Sequence, residues 1–553
     1  MIVRSYLLLA LGIACSGCTA KFGDHSIGPG NPTNGGDLDN PGTGMEGGVA
    51  CAYAAPRRVR RLSQREYFNV VSDLLGADAV VRAAGMLPPE PNIAGFDNQD
   101  IALRVASAFQ EGIANVAEKL SQAVDAAKVA PCDMEAGSPA CLRAFAEAFA
   151  RRAYGRTPTA DEVERLLAAA ATGDTYATSV QLLVETVLQS PYVLYATELG
   201  PDVPASSTTV ALTPHEIASL LSLLITGARP DDVLLKAADD DQLSLRDDVT
   251  NAVTRLLATP RASQQMSLLV KGWANLGAIA GAPKNPAVFP EFTPEVAAAM
   301  QEELDAFIDA KVNTGQGTFV SLLTDTSTYI PAALAPIYGA ELSTPGGVPT
   351  LDPLRRRGIL SLPGFLTYHS ADQHSGPVER GLLVRRQLFC TAVPPPPPQV
   401  VQMIAQHPVD PNDKAKTTRQ KYEAHKTQRF CASCHDQFDP IGFGLEEMDG
   451  IGRYRTTESG LPVDSSGALI GTDIDGPFIG VAQLSKKVAA SAMFERCFVW
   501  QFFRFAESRV PEASEQCLVD AFAAAFAKGG GHFRDLLIDY VTRPEFGVRQ
   551  EDR

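Results

Sequence analysis

Along most of this chain apolar residues recur every three to four positions, and polar caps stand in front of the runs. Ser63 and Glu66 have the spacing of a capping box, after which Tyr67, Val70, Val71, Leu74 and Leu75 keep helical spacing until Gly76 stops the run. Thr159 and Glu162 repeat the device ahead of Val163, Leu166 and Leu167. Thr213-Pro214-His215-Glu216 supplies an N-cap, a proline at the first helical position and a capping-box glutamate, followed by Ile217, Leu220, Leu221 and Leu224. Thr293-Pro294-Glu295 opens a further helix carrying Met300, Leu304 and Phe307. Alternating period-2 stretches are few, the best lying between Leu461 and Ile479. The pattern predicts a mainly α fold of consecutive helical modules with a few short strands, and assigns each apolar stripe to core packing.

Breaks in the pattern divide the chain. Ala205-Ser206-Ser207-Thr208-Thr209 is a polar joint, and Pro394 to Pro398 is a run of five prolines that reads as a stiff polyproline II spacer. The expected divisions are a leader at 1–18, a Gly/Pro-rich tether at 19–55, and helical domains at 56–130, 135–203 and 208–345. A domain with the proline run at 350–478 and a C-terminal helical domain at 479–553 complete the chain. At 553 residues it is too long for one ordinary core. Hydrophobic residues make up 45% and charged residues 20%, which is globular composition. The formal charge of −16, with no long basic stretch, argues against nucleic acid or an anionic membrane surface as the main partner.

The first residues carry an export pattern. Arg4 precedes a short apolar run from Tyr6 to Ala14, then Cys15-Ser16-Gly17-Cys18, too short a run to span a bilayer. Small residues directly before Cys18 resemble the lipobox of bacterial lipoproteins, although Cys15 stands where that motif prefers leucine. The resemblance implies a lipid on Cys18 and, because Thr19 is not aspartate, an outer-membrane anchor facing periplasm or cell surface. The expected partners are therefore that membrane and a redox protein. Eight cysteines remain beyond Cys15 and Cys18. Proximity suggests disulfides pairing Cys132 with Cys141 and Cys497 with Cys517, which leaves Cys51 with Cys390 by elimination.

One constellation carries chemistry. Cys431-Ala432-Ser433-Cys434-His435 is Cys-x-x-Cys-His, the attachment pattern of haem c. Two thiols on one turn can each add to a porphyrin vinyl group, placing the next histidine at the iron as proximal ligand. Chance supplies the pentapeptide in roughly three of a thousand chains of this length. A redox dithiol has no surrounding βαβ pattern to support it. Zinc would need Asp436 or Asp439 as a fourth ligand, and a plain disulfide with a bystander histidine is the third alternative. Candidates for the sixth iron position are His369 and Met448, with His374 in the same polar segment as His369 and His425 ranked below them. Asp473-Ile474-Asp475-Gly476 has part of a calcium-loop pattern but lacks the bidentate glutamate, and reads as a surface turn.

Longer segments carry a family resemblance. Arg60-Arg61-Leu62-Ser63-Gln64-Arg65-Glu66-Tyr67 with Asp73-Leu74-Leu75-Gly76, and Phe149 to Arg156 with Pro158-Thr159, resemble two short helical domains of large exported proteins found chiefly in planctomycetes and myxobacteria. Leu212 to Ile217 through Arg229-Pro230-Asp231-Asp232 resembles their third domain. Ser375 to Gly381, the proline run, the Cys431–His435 motif, Asp439-Pro440-Ile441-Gly442-Phe443 and Asp449 to Arg455 resemble the fourth. Phe533 to Leu537 through Pro544-Glu545-Phe546 resembles the fifth. These are the domains of unknown function numbered fifteen-eighty-seven, fifteen-ninety-five, fifteen-ninety-two, fifteen-eighty-eight and fifteen-eighty-five. The resemblance implies a Cys-x-x-Cys-His segment of cytochrome c-like type in the fourth domain, and brings no established reaction.

Three functions follow as expectations. The first is an exported, lipid-anchored c-type haem protein that transfers electrons. The second is an oxidative enzyme acting on an extracellular polymer through an open iron position. The third is a non-haem surface binding or scaffold protein, with polysaccharide as partner, for which Trp273 and Trp500 supply few stacking platforms.

Overall fold

Helix starts follow the caps. In a computed structural model that describes residues 54–130, 138–203, 207–313, 317–339, 350–398, 410, 413–423 and 429–551, Ser63 and Glu66 exchange both capping-box hydrogen bonds ahead of the helix Gln64–Leu75. Thr159 and Glu162 do the same ahead of Ala160–Ala170, and Thr213 and Glu216 ahead of Pro214–Thr226. That last helix ends at Gly227 in the left-handed region, where glycine carries no Cβ penalty. Thr293 caps the 19-residue helix Pro294–Val312. The fold is mainly α, as the periodicity predicts.

Among the described residues the helices enclose two large cores that interlock, beside a small cluster of Ala126, Ala130 and Val180. One is built from residues between Leu62 and Ala196, the other from residues between Ala218 and Phe546, and each borrows a side chain from the other's sequence. Phe96 enters the larger core, against Phe505 at a ring-centroid distance of 5.6 Å, while Leu223 enters the smaller. Gly272 makes room for Phe96, since a Cβ there would stand 2.0 Å from the ring. At the centre of the larger core Trp273 meets Phe319, Phe494 and Phe498 edge-on, at 5.8, 5.7 and 5.6 Å.

Short strands tie distant parts of the chain. Val548–Gln550 lies between Ala55–Pro56 and Thr209–Ala211 in a three-stranded sheet, and Arg58–Arg61 pairs antiparallel with Tyr195–Glu198. The stretch that alternates in sequence forms the hairpin pair Ser466–Leu469 and Gly476–Ile479, preceded by the small ladder of Thr457–Glu458 with Leu461–Pro462. Beneath the sheet edges runs a buried ionic belt. Glu198 binds both Arg58 and Arg549, at 2.7 and 2.6 Å, and Glu507 binds Arg543 at 2.9 Å and accepts from the Tyr540 hydroxyl at 2.5 Å. Burial alone would raise the Glu507 carboxyl, but Arg543, Arg58, Arg549 and Arg509 outweigh it and hold the group down at about 2.

Two sequence expectations need correction. Cys390 is disulfide-bonded to Cys497, 107 residues away, so Cys497 does not pair with Cys517, nor Cys390 with Cys51. Proximity along the chain misled here because the helix Ala492–Glu507 packs across the end of the segment Val384–Leu388, bringing Cys497 to Cys390 from another domain. Cys141 and Cys517 are each engaged in a disulfide of their own, and Cys51 and Cys132 lie outside the described residues. Of the proline run, Pro394 to Pro397 are exposed and outside regular structure.

Candidate functional site

The Cys-x-x-Cys-His segment forms one short helix, Arg429–His435. Positions i, i+3 and i+4 of a helix share a face, so Cys431, Cys434 and His435 project to the same side. Cys431 is buried, Cys434 half-buried, and the His435 side chain 19% exposed. Both cysteines are thiols, whereas Cys141, Cys390, Cys497 and Cys517 are all disulfide-bonded. Burial lowers the Arg386 guanidinium, which stands near Cys434.

A second short helix, Asp439–Phe443, follows after a turn and fixes the histidine. Asp439 accepts a hydrogen bond from Nδ1 of His435 at 2.9 Å, with the Asp439 side chain 1% exposed. Phe438 packs on the imidazole at 4.8 Å between centroids. The helix Asp439–Phe443 is in turn pressed against the helix Pro377–Leu383 through two glycines. A Cβ at Gly442 would stand 1.7 Å from the carbonyl oxygen of Pro377, and one at Gly381 would stand 2.1 Å from that of Phe438. Only hydrogen at these positions allows the backbones to approach so closely.

Behind this crossing lies a buried polar layer. Arg380, fully buried, donates to the carbonyls of Met448, Asp449, Leu366 and Leu445 at 2.8, 2.7, 3.2 and 3.3 Å, and burial pushes it down to about 10. Burial raises the carboxyl of Glu379, with the nearby Asp439 charge acting in the same direction. Glu446 accepts from Ser375 at 2.6 Å and pairs with Arg455 at 3.1 Å, its carboxyl nonetheless raised by burial. His374 takes a hydrogen bond on Nδ1 from the backbone N–H of Gly376 at 3.0 Å, which leaves Nε2 as the donor toward the Tyr422 hydroxyl at 3.2 Å.

The candidate distal ligands sit elsewhere. Nε2 of His369 is 2.9 Å from the carbonyl oxygen of Ala274, its ring is wedged against Phe365 and Tyr368, and burial pushes it down to about 3. Met448 is 0% exposed within the larger core, its backbone held by Arg380. Asp439 and Phe438 both contact the His435 ring. His425 and Cys18 lie outside the described residues. In the loop Asp473–Gly476, Asp475 accepts from the N–H groups of Gly471 and Thr472, and Asp473 accepts from Ser491 and from the N–H of Met493. Those carboxylates close a turn and cap a helix, which is the surface-turn reading.

Sequence reasoning weighed Asp439 only as a zinc ligand and passed over Glu379, Arg380 and Tyr422. For Asp439 a usable signal existed, the i+4 spacing after His435. Among the described residues no cluster of three or more His, Cys, Asp or Glu side chains is arranged to hold a bare metal ion. The donor set instead fits covalent haem. Attachment adds each S–H across a vinyl double bond, forming a C–S bond and delivering the hydrogen to the neighbouring carbon, so it needs two thiols and not a disulfide. The adjacent histidine is held through its Nδ1 by Asp439.

These features define a mainly helical protein of several packed helical segments carrying a single Cys-x-x-Cys-His helix. The chain belongs to the proteins assembled from five consecutive domains, each described as a protein of unknown function: DUF1587 over residues 60–126, DUF1595 over 141–198, DUF1592 over 212–340, DUF1588 over 356–458 and DUF1585 over 475–546. The motif helix and the Pro377–Leu383 crossing both fall within the fourth. No curated protein and no solved structure matches the chain.

Proposed function

We propose that this chain is a c-type haem protein, exported and anchored through a lipid on Cys18, that transfers electrons in the periplasm or at the cell surface. The observation that carries the reading is the contrast among the described cysteines: Cys431 and Cys434 are thiols on one helix face with His435, while the other four are oxidised. Cys431 and Cys434 hold the porphyrin, His435 is the proximal ligand, and the haem supplies one-electron iron chemistry when bound. Phe438 and the glycine crossing keep the imidazole in place. Export is consistent with the disulfides, which persist in oxidising compartments.

The test is expression with a cytochrome c maturation system. Haem that stays on the denatured chain, and is lost in C431A/C434A, is the expected result. A colourless matured chain whose two motif sulfurs are joined to each other overturns the reading. Mass spectrometry of the same sample reads the lipid on Cys18. Because His369 is engaged by the Ala274 carbonyl and Met448 is fully buried in the larger core, a second reading remains in view, an oxidative enzyme on an extracellular polymer with an open iron position. Ready binding of carbon monoxide by the reduced protein favours it, and a firmly six-coordinate spectrum excludes it.

A further inference from the structure

We propose that the outer cleft between the helices Asp232–Asp239 and Arg246–Leu257 docks a partner protein. Its occupant is a short amphipathic segment whose one or two bulky apolar side chains are flanked by lysine or arginine. Neither haem nor the motif helix enters into it. The inward faces of both helices are committed, since Leu234, Ala238, Val249 and Val253 belong to the larger core. Outside that core the two helices enclose a cleft of about 240 Å³, floored by Leu234, Ala237, Leu243 and Ala252 with Val233 at its lip. That volume lies below the roughly 300–1,000 Å³ of small-molecule pockets and suits a side chain or two.

A lone exposed apolar residue needs no explanation. Here Val233 is 60% exposed and Leu245 64% exposed, one on each of the two helical elements that form the cleft. Leu245 stands at the cap of Arg246–Leu257 and makes no side-chain hydrogen bond there, whereas Ser63, Thr159, Thr213 and Thr293 all cap their helices. An exposed leucine gives a helix start nothing that serine or threonine would not give better, so its use lies outside the helix. Charge then sets the kind of partner. Residues 231–248 hold seven aspartates against Lys236 and Arg246. Both cations are taken, Lys236 by Asp240 at 2.7 Å and Arg246 by Asp539 at 3.7 Å, and Arg255 at the cleft is held by Asp231 at 2.6 Å. Asp232, Asp241, Asp247 and Asp248 enter no ion pair among the described residues, and Asp248 lines the cleft itself. An anionic membrane surface is repelled by such a rim, and a second copy, with a formal charge of −16 and no long basic stretch, brings the wrong sign. A cationic amphipathic segment meets both demands, its apolar face entering the cleft and its charges reaching the free aspartates. So small a contact forms fast under charge steering and releases readily.

The test uses the full chain and a fluorescein-labelled synthetic peptide with leucine at helical spacing and lysine elsewhere. Saturable binding by fluorescence anisotropy is expected, weakening as salt is raised, with hydrogen-exchange protection confined to residues 232–255. V233S/L245S is expected to weaken binding about tenfold, the worth of two partly exposed apolar side chains withdrawn from the contact. D241N/D247N/D248N is expected to flatten the salt dependence. Circular dichroism and the melting temperature control for folding in both variants. Absence of binding overturns the proposal. Equal binding of a peptide with serine in place of leucine, or an unweakened affinity for folded V233S/L245S, also overturns it, since an acidic protein would then be attracting any cation. Self-association of the native chain that V233S/L245S abolishes would give the cleft to a second copy and overturn the choice of partner.

Discussion

At the scale of single residues, the site depends on positions with the smallest side chain as much as on those with chemistry. Gly442 and Gly381 have no room for a methyl group, the nearest atoms being backbone carbonyls that cannot rotate away. G442A is expected to cost about 1–3 kcal/mol as overpacking and, on the proposed haem reading, to lower the yield of attached haem because it displaces Asp439 from His435. Thermal unfolding and haem-stained gels check both halves, and an unaltered melting temperature refutes the claim. Buried Glu303 offers a pH test. Burial pushes its carboxyl up to about 8, although the Tyr338 hydroxyl donates to it at 2.5 Å and Arg356 lies near. A carboxyl raised above its unfolded value keeps its proton longer in the native state, so this group's contribution weakens as pH rises from about 4.5 to about 8. The difference in unfolding free energy between native and E303Q protein is therefore expected to move in favour of the variant by up to roughly 1.4 kcal/mol per pH unit across that window. A pH-independent difference refutes it. Neither residue role was legible in the sequence, because each is set by partners remote along the chain: Pro377 for Gly442, Tyr338 for Glu303. The same remoteness explains His369, which the sequence offers as a distal ligand and which instead meets the Ala274 carbonyl.

At the scale of elements, legibility follows whether the cause is local. Capping boxes act over three residues, and those at Ser63, Thr159 and Thr213 start helices where the sequence puts them. The Cys-x-x-Cys-His spacing is equally local, and its three side chains share a helix face. Disulfide choice is not local, and there nearness in sequence misassigned Cys390 and Cys497. Their bond closes a separation of 107 residues and ties the root of the proline run to the helix Ala492–Glu507. Because the closed loop is long, the bond restricts the unfolded chain strongly, by about 4–5 kcal/mol on loop-entropy grounds. C390S/C497S is expected to show a lower denaturation midpoint by that order. Since the tie sits at the start of the segment leading to the motif helix, proteolysis within that segment is expected to quicken. An unmoved midpoint under oxidising conditions would count against the bond as a stabilising element.

At the scale of the whole molecule, the question is what joins two cores into one body. Apolar exchange does part of it, through Phe96 and Leu223. The ionic belt does the rest, and a formal charge of −16 gives no hint of it, because composition counts charges without saying which are buried. Glu198 ends the strand Tyr195–Glu198 within the second family segment, yet its two partners are Arg58 at the beginning of the fold and Arg549 in the strand Val548–Gln550. Arg58 also donates to the carbonyl oxygen of Glu507, carrying the belt into the C-terminal helices. All three side chains are 13% exposed or less, so solvent screens them little and removing one leaves buried charge uncompensated. E198A is therefore expected to cost about 3–5 kcal/mol, against about 0–1 kcal/mol for an exposed pair such as Arg143–Glu164. The effect should also have a direction in space. Hydrogen exchange should accelerate first in Val548–Gln550, Thr209–Ala211 and Arg58–Arg61, the strands the belt underlies, while the amides around Trp273 keep their protection. Uniform acceleration across both cores would mean that Glu198 supports the fold at large, and no acceleration at the strands would mean that apolar exchange alone holds the two cores together.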